Sequence, residues 1–159
     1  MKILLDTTYL LPLIGISVEG IPDDMLLRLI NRRYKIYINY IALFELSAKG
    51  AKYIAQGKLM PDRVLRGINA LIHDERVKKI KSTDTDVLMT AFRLRTKIVD
   101  FIDCLILSTA LHYCDILLTE DEELHELRDS TWFNEFKEGI NPDIRVMSYT
   151  EFAKRHTRL

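Results

Sequence analysis

The sequence has no surplus of charge of either sign: 23 lysines and arginines stand against 23 aspartates and glutamates in 159 residues. A balanced chain has no large basic field with which to hold polyanions in general. Cysteine is scarce. Cys104 and Cys114 are the only two, they form no CxxC pair, and they fall within or beside one predicted helix. That excludes a disulfide framework and points to a reducing cytoplasm. No apolar run reaches the length of a membrane span. Lys2 followed by apolar residues has the outline of a secretory signal, but Asp6 interrupts it and no small-residue cleavage site follows. A Gly-rich phosphate loop, a GxSxG elbow and a Cys nucleophile motif are all missing. His73, His112, His125 and His156 form no zinc spacing with the cysteines. With no internal repeat, low-complexity tract or linker, the length predicts one domain over residues 1–159.

What is present is an alternation of short strands and helices. Ile3 to Leu5 reads as a first strand, and the apolar segment 10–15 then leaves the sheet to cover an edge of the core. Pro22-Asp23-Asp24 opens a helix that ends near Arg32-Arg33, since Pro suits the first turn and acids suit the positive dipole end. Tyr34 to Asn39 is a second strand. The next helix, from about Ile41 to Ile54, shows an apolar stripe of Ile41, Phe44, Ala48, Ala51 and Ala55, with Glu45 on that stripe. A helix beginning at Pro61 presents Val64, Leu65, Ile68, Leu71 and Ile72, and Val77 to Ile80 forms a short edge strand. Thr83 with Asp86 makes a capping box for a helix running to about Arg95. A helix over Val99 to Tyr113 follows, then strand Ile116–Leu118 and a helix from Asp121. Trp132 to Phe136 falls in a polar connection, Ile144 to Met147 forms the fifth strand, and Tyr149 to Arg155 a closing helix. Strands alternating with helices predict a parallel sheet covered on both faces.

The chemistry lies in four acids. Asp6 and Asp121 each follow a brief apolar run that reads as a strand buried on both faces, so each belongs at the carboxyl edge of the sheet. Glu45 and Asp103 sit within apolar helical stretches, where an unpartnered charge is expensive. Taken singly, each has an ordinary explanation. Asp6 suits a turn, and Thr119-Glu120-Asp121-Glu122 is itself a capping box. Lys49 can pair with Glu45 at the favourable fourth position, and Asp103, like Asp100, complements a helix dipole. Jointly they say more. If strand order reverses between the first and fourth strands, Asp6 and Asp121 flank one crevice and Glu45 and Asp103 reach it from adjoining helices. Carboxylates crowded in this way raise one another's pKa unless a cation neutralises them. Oxygen-only donors select Mg²⁺ or Mn²⁺ over Zn²⁺, the arrangement used for phosphodiester hydrolysis. Such a local cation also compensates for the missing basic field. Lys78-Lys79 with Lys81, and Arg93, Arg95 and Lys97, read as solvated faces rather than a phosphate track, and Trp132 and Phe133 as packing rather than base-stacking platforms.

At these residues the sequence resembles PIN-domain ribonucleases, the fold shared by VapC-type toxins of toxin–antitoxin pairs. The similarity spans essentially the whole chain and rests on Leu4-Leu5-Asp6-Thr7-Thr8, Leu43-Phe44-Glu45-Leu46, Asp103 to Ala110, and Leu117-Leu118-Thr119-Glu120-Asp121. It implies a three-layer α/β fold whose five-stranded parallel sheet has the order 3-2-1-4-5. It also implies that Asp6, Glu45, Asp103 and Asp121 bind Mg²⁺ or Mn²⁺, supported by Thr8 and Thr119. Asp100, one turn before Asp103, is an additional ligand or an alternative to it. Glu120 departs from the neutral or basic residue more usual before the last Asp.

The expected activity is metal-dependent endoribonuclease cleavage of RNA, with a cognate antitoxin and a second copy of the chain as partners implied by the resemblance. The alternative is a catalytically inactive PIN-like module that binds RNA or protein. A phosphatase of the haloacid-dehalogenase type is disfavoured, because Thr8 stands where its Asp-x-Asp pattern needs a second acid.

Overall fold

A computed structural model describes residues 1–156, so the last three residues of the expected domain lie outside the described part. Five strands, β1 (Lys2–Leu5), β2 (Lys35–Asn39), β3 (Val77–Ile80), β4 (Ile116–Leu118) and β5 (Arg145–Met147), form one sheet in the order β3-β2-β1-β4-β5. Every neighbouring pair is parallel. This is a three-layer α/β fold with the expected strand order 3-2-1-4-5. The central strands β1 and β4 read as apolar runs because both faces are covered, whereas the edge strand β3 carries Lys78 and Lys79. Ile3, Leu5, Ile36, Ile38, Ile116 and Leu118 enter one core. Leu4, Tyr37, Leu117 and Val146 enter the other.

The first core is roofed by a 3₁₀ helix (Thr7–Ile14) and by α1 (Met25–Asn31), α2 (Tyr40–Ala55) and α3 (Pro61–His73), with Phe152 of α8 (Tyr149–Arg155). The second is roofed by α4 (Thr85–Leu94), α5 (Phe101–Tyr113), α6 (Glu122–Arg128) and α7 (Thr131–Glu138). Helix α5 lies deepest. Eight consecutive residues, Cys104 to Leu111, are buried, so its sequence is apolar all round rather than on one stripe.

Several expectations are corrected. Trp132 to Phe136 lies in α7, capped by the Ser130 hydroxyl, which accepts from the Phe133 amide at 3.1 Å. That cap was the overlooked signal. Helix α4 is capped by Asp84, whose side chain accepts from the Asp86 amide, not by a Thr83–Asp86 box. In α3, Val64 and Leu71 are buried, but Leu65 and Ile72 are exposed.

The expected stripe of α2 is also wrong. Phe44, Ala48, Ala51 and Ala55 face solvent, and the buried face is Ala42, Leu43, Leu46 and Gly50. Alanines are poor markers of a face because they fit either environment. Gly50 marked the true one: a Cβ there would lie 2.6 Å from Val64 Cγ1, so α2 and α3 cross where side-chain bulk is absent. Glu45 consequently sits at the border of the buried face, half-buried and beside the sheet's carboxyl edge.

Candidate active site

The site begins where β1 ends. The Asp6 amide donates to the Leu118 carbonyl at 3.0 Å, continuing the β1–β4 ladder by one bond and holding the two strand ends together. One Asp6 oxygen accepts from the Thr7 amide at 2.6 Å and so caps the 3₁₀ helix; the other accepts from the Thr119 hydroxyl at 2.8 Å. Both oxygens are thereby oriented, and the residue is only 6% exposed. Burial pushes the Asp6 carboxyl up to about 6, with the two hydrogen bonds opposing, Glu45 adding to the rise and Lys49 reducing it.

Thr119 joins the two strand ends a second time. Its hydroxyl also accepts from the Asp121 amide at 3.1 Å, and its carbonyl accepts from His125 Nε2 at 3.0 Å, so that ring nitrogen carries the proton. Asp121 is the N-cap of α6, one oxygen accepting from the Leu124 amide at 2.9 Å. Asp121 is therefore the cap, and the expected Thr119–Glu122 capping box is not formed. The second Asp121 oxygen is left for the cleft.

Glu45 reaches the cleft from the second turn of α2. Its Oε2 accepts from the Thr7 hydroxyl at 2.5 Å, and its Oε1 pairs with Lys49 Nζ at 2.9 Å. Asp103 enters from the first turn of α5, half-buried, with no hydrogen-bond donor to its carboxylate among the described residues. Burial and the neighbouring Asp6, Asp121, Asp100 and Glu45 push its carboxyl up to about 7. Asp100 is exposed and caps α5, one oxygen accepting from the Ile102 amide at 2.7 Å.

These side chains line one cleft of about 290 Å³: Asp6, Thr8, Glu45, Lys49, Asp100, Asp103, Glu120 and Asp121. Of the residues singled out from the sequence, all but Thr119 line it; Thr119 is fully buried behind Asp6, to which its hydroxyl donates. Glu120 is diverted at its rim, its Oε1 accepting from the Tyr9 hydroxyl at 2.6 Å and from the Tyr149 amide at 2.8 Å. Its unusual charge thus ties the 3₁₀ helix to α8. Among the described residues no three acids converge closely enough to hold a metal ion as they stand. Their chemistry nevertheless fits a hard cation: all donors are oxygen, Asp103 lacks a protein donor, and burial together with repulsion from its neighbours raises its pKa.

Sequence reasoning missed Thr7, whose hydroxyl holds Glu45, because a strand-end pattern does not say which of two adjacent threonines turns inward. It also missed Tyr9, Tyr149 and His125, contacts that exist only in three dimensions. The basic runs are partly absorbed: Lys78 Nζ lies over Tyr37, Arg93 over Phe136 and Lys97 over Trp132. Trp132 stacks on Phe136 with centroids 4.7 Å apart, and Phe133 is buried, so these aromatics pack. His112 Nε2 meets the Thr90 hydroxyl at 2.9 Å. No described helix is long and apolar enough to cross a membrane.

The family model described as PIN domain matches residues 3–129, a span that includes all four acids. None of the curated proteins matches the sequence. Among solved structures, one similar chain is in the crystal structure of VapBC2 from Rickettsia felis bound to a DNA fragment from their promoter. It is 18% identical, with 93% of this chain and 98% of that one covered and a TM-score of 0.60. Another is in the crystal structure of DNA-bound VapBC from Salmonella typhimurium, 21% identical over 93% and 98% of the two chains, with a TM-score of 0.54. At these identities the likeness concerns the fold.

Proposed function

The chain belongs to the PIN domain family, and from that membership together with its acidic cleft we propose that it is a metal-dependent endoribonuclease of VapC type, acting as one domain. The observation that carries the proposal is the meeting of Asp6, Glu45, Asp103 and Asp121 at the carboxyl edge of the sheet, where the connections leave β1 and β4 in opposite directions. Asp6, Asp103 and Asp121 would hold Mg²⁺ or Mn²⁺, with Glu45 completing the set once released from Lys49. When bound, such an ion lowers the pKa of an attacking water and stabilises charge on the phosphodiester.

The chain's own residues do the positioning. Thr7 amide and Thr119 hydroxyl fix the two Asp6 oxygens, and the Leu124 amide fixes one Asp121 oxygen. Asp100 lies at the mouth and remains an additional oxygen donor, while Thr8 lines the wall. That the two similar chains come from VapBC structures motivates an antitoxin as protein partner. A second copy of the chain is the other partner proposed, and exposed Met89, Phe92 and Val99 offer apolar surface for contacts of either kind.

The test is cleavage of a structured and an unstructured RNA with Mn²⁺, Mg²⁺ or EDTA. Wild type should cleave only with metal, and Asp6→Asn and Asp103→Asn should not cleave while remaining folded. Cleavage that persists in both variants, or in EDTA, sinks the proposal. A competing reading, an inactive RNA- or protein-binding module, draws on Glu45 being held by Lys49 and Thr7. It predicts RNA or protein binding with no metal-dependent cleavage.

A further inference from the structure

Six carboxylates, one hydroxyl and one cation line the cleft, and the cation is Lys49. It is not a distant surface charge. Its ammonium is 2.9 Å from Glu45 Oε1, and its field reaches Asp6. The pair is built into α2 at the i,i+4 spacing with the acid nearer the helix N-terminus, so it forms from local geometry alone. The two donors on Glu45 differ in kind. The Thr7 hydroxyl is neutral and leaves a lone pair of Oε2 available, so it can stay beside a bound ion. An ammonium cannot, because a divalent cation repels it at short range. The Lys49 side chain is 37% exposed and that of Glu45 is 23% exposed, so the lysine has an open path to solvent while the acid stays in the cleft.

We propose that Lys49 is the internal counter-cation of this site, occupying Glu45 until a divalent ion displaces it, so that metal loading exchanges one cation for another. The inference rests on the metal-site reading above. It accounts for an acidic cleft whose carboxylates do not yet converge: Glu45, the acid on α2, is held by an internal positive charge. Two opposite effects follow from removing that charge. The metal-free protein loses the cation that offsets repulsion among Asp6, Glu45 and Asp103, so it becomes less stable. The metal meets a more negative cleft and no competitor, so it binds more tightly. A lysine that merely supported Glu45 would move both quantities the same way.

Mn²⁺ is titrated calorimetrically into the full chain as wild type, Lys49→Met, Lys49→Gln, Lys49→Arg and Asp103→Asn, with thermal melts in EDTA alongside. Lys49→Met and Lys49→Gln should bind Mn²⁺ on the order of tenfold tighter, the scale of a unit charge acting on a divalent ion several ångströms away in a wet cleft. Both should melt lower in EDTA, and Lys49→Arg should stay with wild type. Unchanged or weaker Mn²⁺ binding in the folded Met or Gln variant, with wild type binding normally, overturns the inference and leaves the metal site standing. Wild type that binds no Mn²⁺, or Asp103→Asn that binds it undiminished, overturns the metal-site reading itself and the inference with it. The glutamine variant keeps a polar tip and carries the test should the methionine variant not fold.

Discussion

A single hydroxyl connects the two strand ends that carry Asp6 and Asp121. Thr119 donates to one acid and accepts from the amide of the other, with no solvent exposure. Thr119→Val keeps the shape and removes both bonds, leaving a buried Asp6 oxygen short of a donor. The expected cost is about 1–3 kcal/mol in chemical denaturation, together with loss of RNA cleavage because Asp6 loses its orientation. Thr119→Ser should recover most of both. Equal denaturation midpoints for the Val variant and wild type would show that the hydroxyl is dispensable. At this scale the sequence was informative in kind and incomplete in detail. The four acids could be named from pattern and resemblance, and Thr119 with them. Which threonine serves Glu45 depended on the 3₁₀ turn after Asp6, which brings the Thr7 hydroxyl to it and places Thr8 in the cleft wall.

Among elements, the crossings that hold the acids in place depend on glycine and on one arginine. A Cβ at Gly67 would lie 2.2 Å from the Leu13 carbonyl oxygen, a backbone atom that cannot swing aside. Gly67→Ala should gain roughly 1 kcal/mol of helix propensity and lose more, because overpacking costs about 1–3 kcal/mol and here the clash is with backbone. A lower melting temperature for Gly67→Ala, set against an almost unchanged Gly139→Ala where a Cβ meets nothing within 4 Å, is the expected outcome. Arg128 of α6 in turn bonds the Val146 carbonyl of β5 at 2.9 Å and both carboxylate oxygens of Glu151 in α8 at 2.6 and 2.8 Å. That guanidinium pulls the Glu151 carboxyl from its ordinary 4.5 down to about 2. A depressed acid stabilises the fold fully above its unfolded value and loses that contribution as pH falls towards the folded one. The Arg128–Glu151 contribution therefore fades between about pH 4.5 and 2. Melting temperature followed down this range should fall less steeply for Glu151→Gln than for wild type. The effect is modest because the pair is partly exposed.

For the whole molecule, the balance of charge conceals a local excess. The chain is formally neutral, yet five carboxylates, with Glu120 diverted at the rim, face one lysine in a single cleft. The repulsion among them is a standing cost to the metal-free fold, and ligands that bind only the folded state repay such a cost by mass action. Mn²⁺ at about one hundred times its Kd should add about 2.7 kcal/mol to wild type, read as a rise of roughly 2–4 °C per kcal/mol for a chain of this size. Asp103→Asn should respond little to Mn²⁺. In EDTA at pH 8 it should melt above wild type, because the substitution removes a charge that Asp6, Asp121, Asp100 and Glu45 all oppose. An Asp103→Asn protein that melts below wild type in EDTA would mean that Asp103 stabilises the fold, against the electrostatics.

By itself the sequence determined the alternation of strands and helices, since the central strands β1 and β4 are apolar runs buried on both faces and most helices carry a readable start. Caps and periods are local, so they survive in one dimension. Hence Pro61 and Asp100 stand at or next to the first residue of α3 and α5. The tertiary structure decided what depends on crossings. Ala48, Ala51 and Ala55 could have faced either way, and the approach of Val64 over Gly50 turned that stripe to solvent. Glu120 looked like an extra negative charge for the cleft until Tyr9 and Tyr149, distant in sequence, took it up. Small and polar side chains leave their environment open, and only the packing of other elements against them closes the choice.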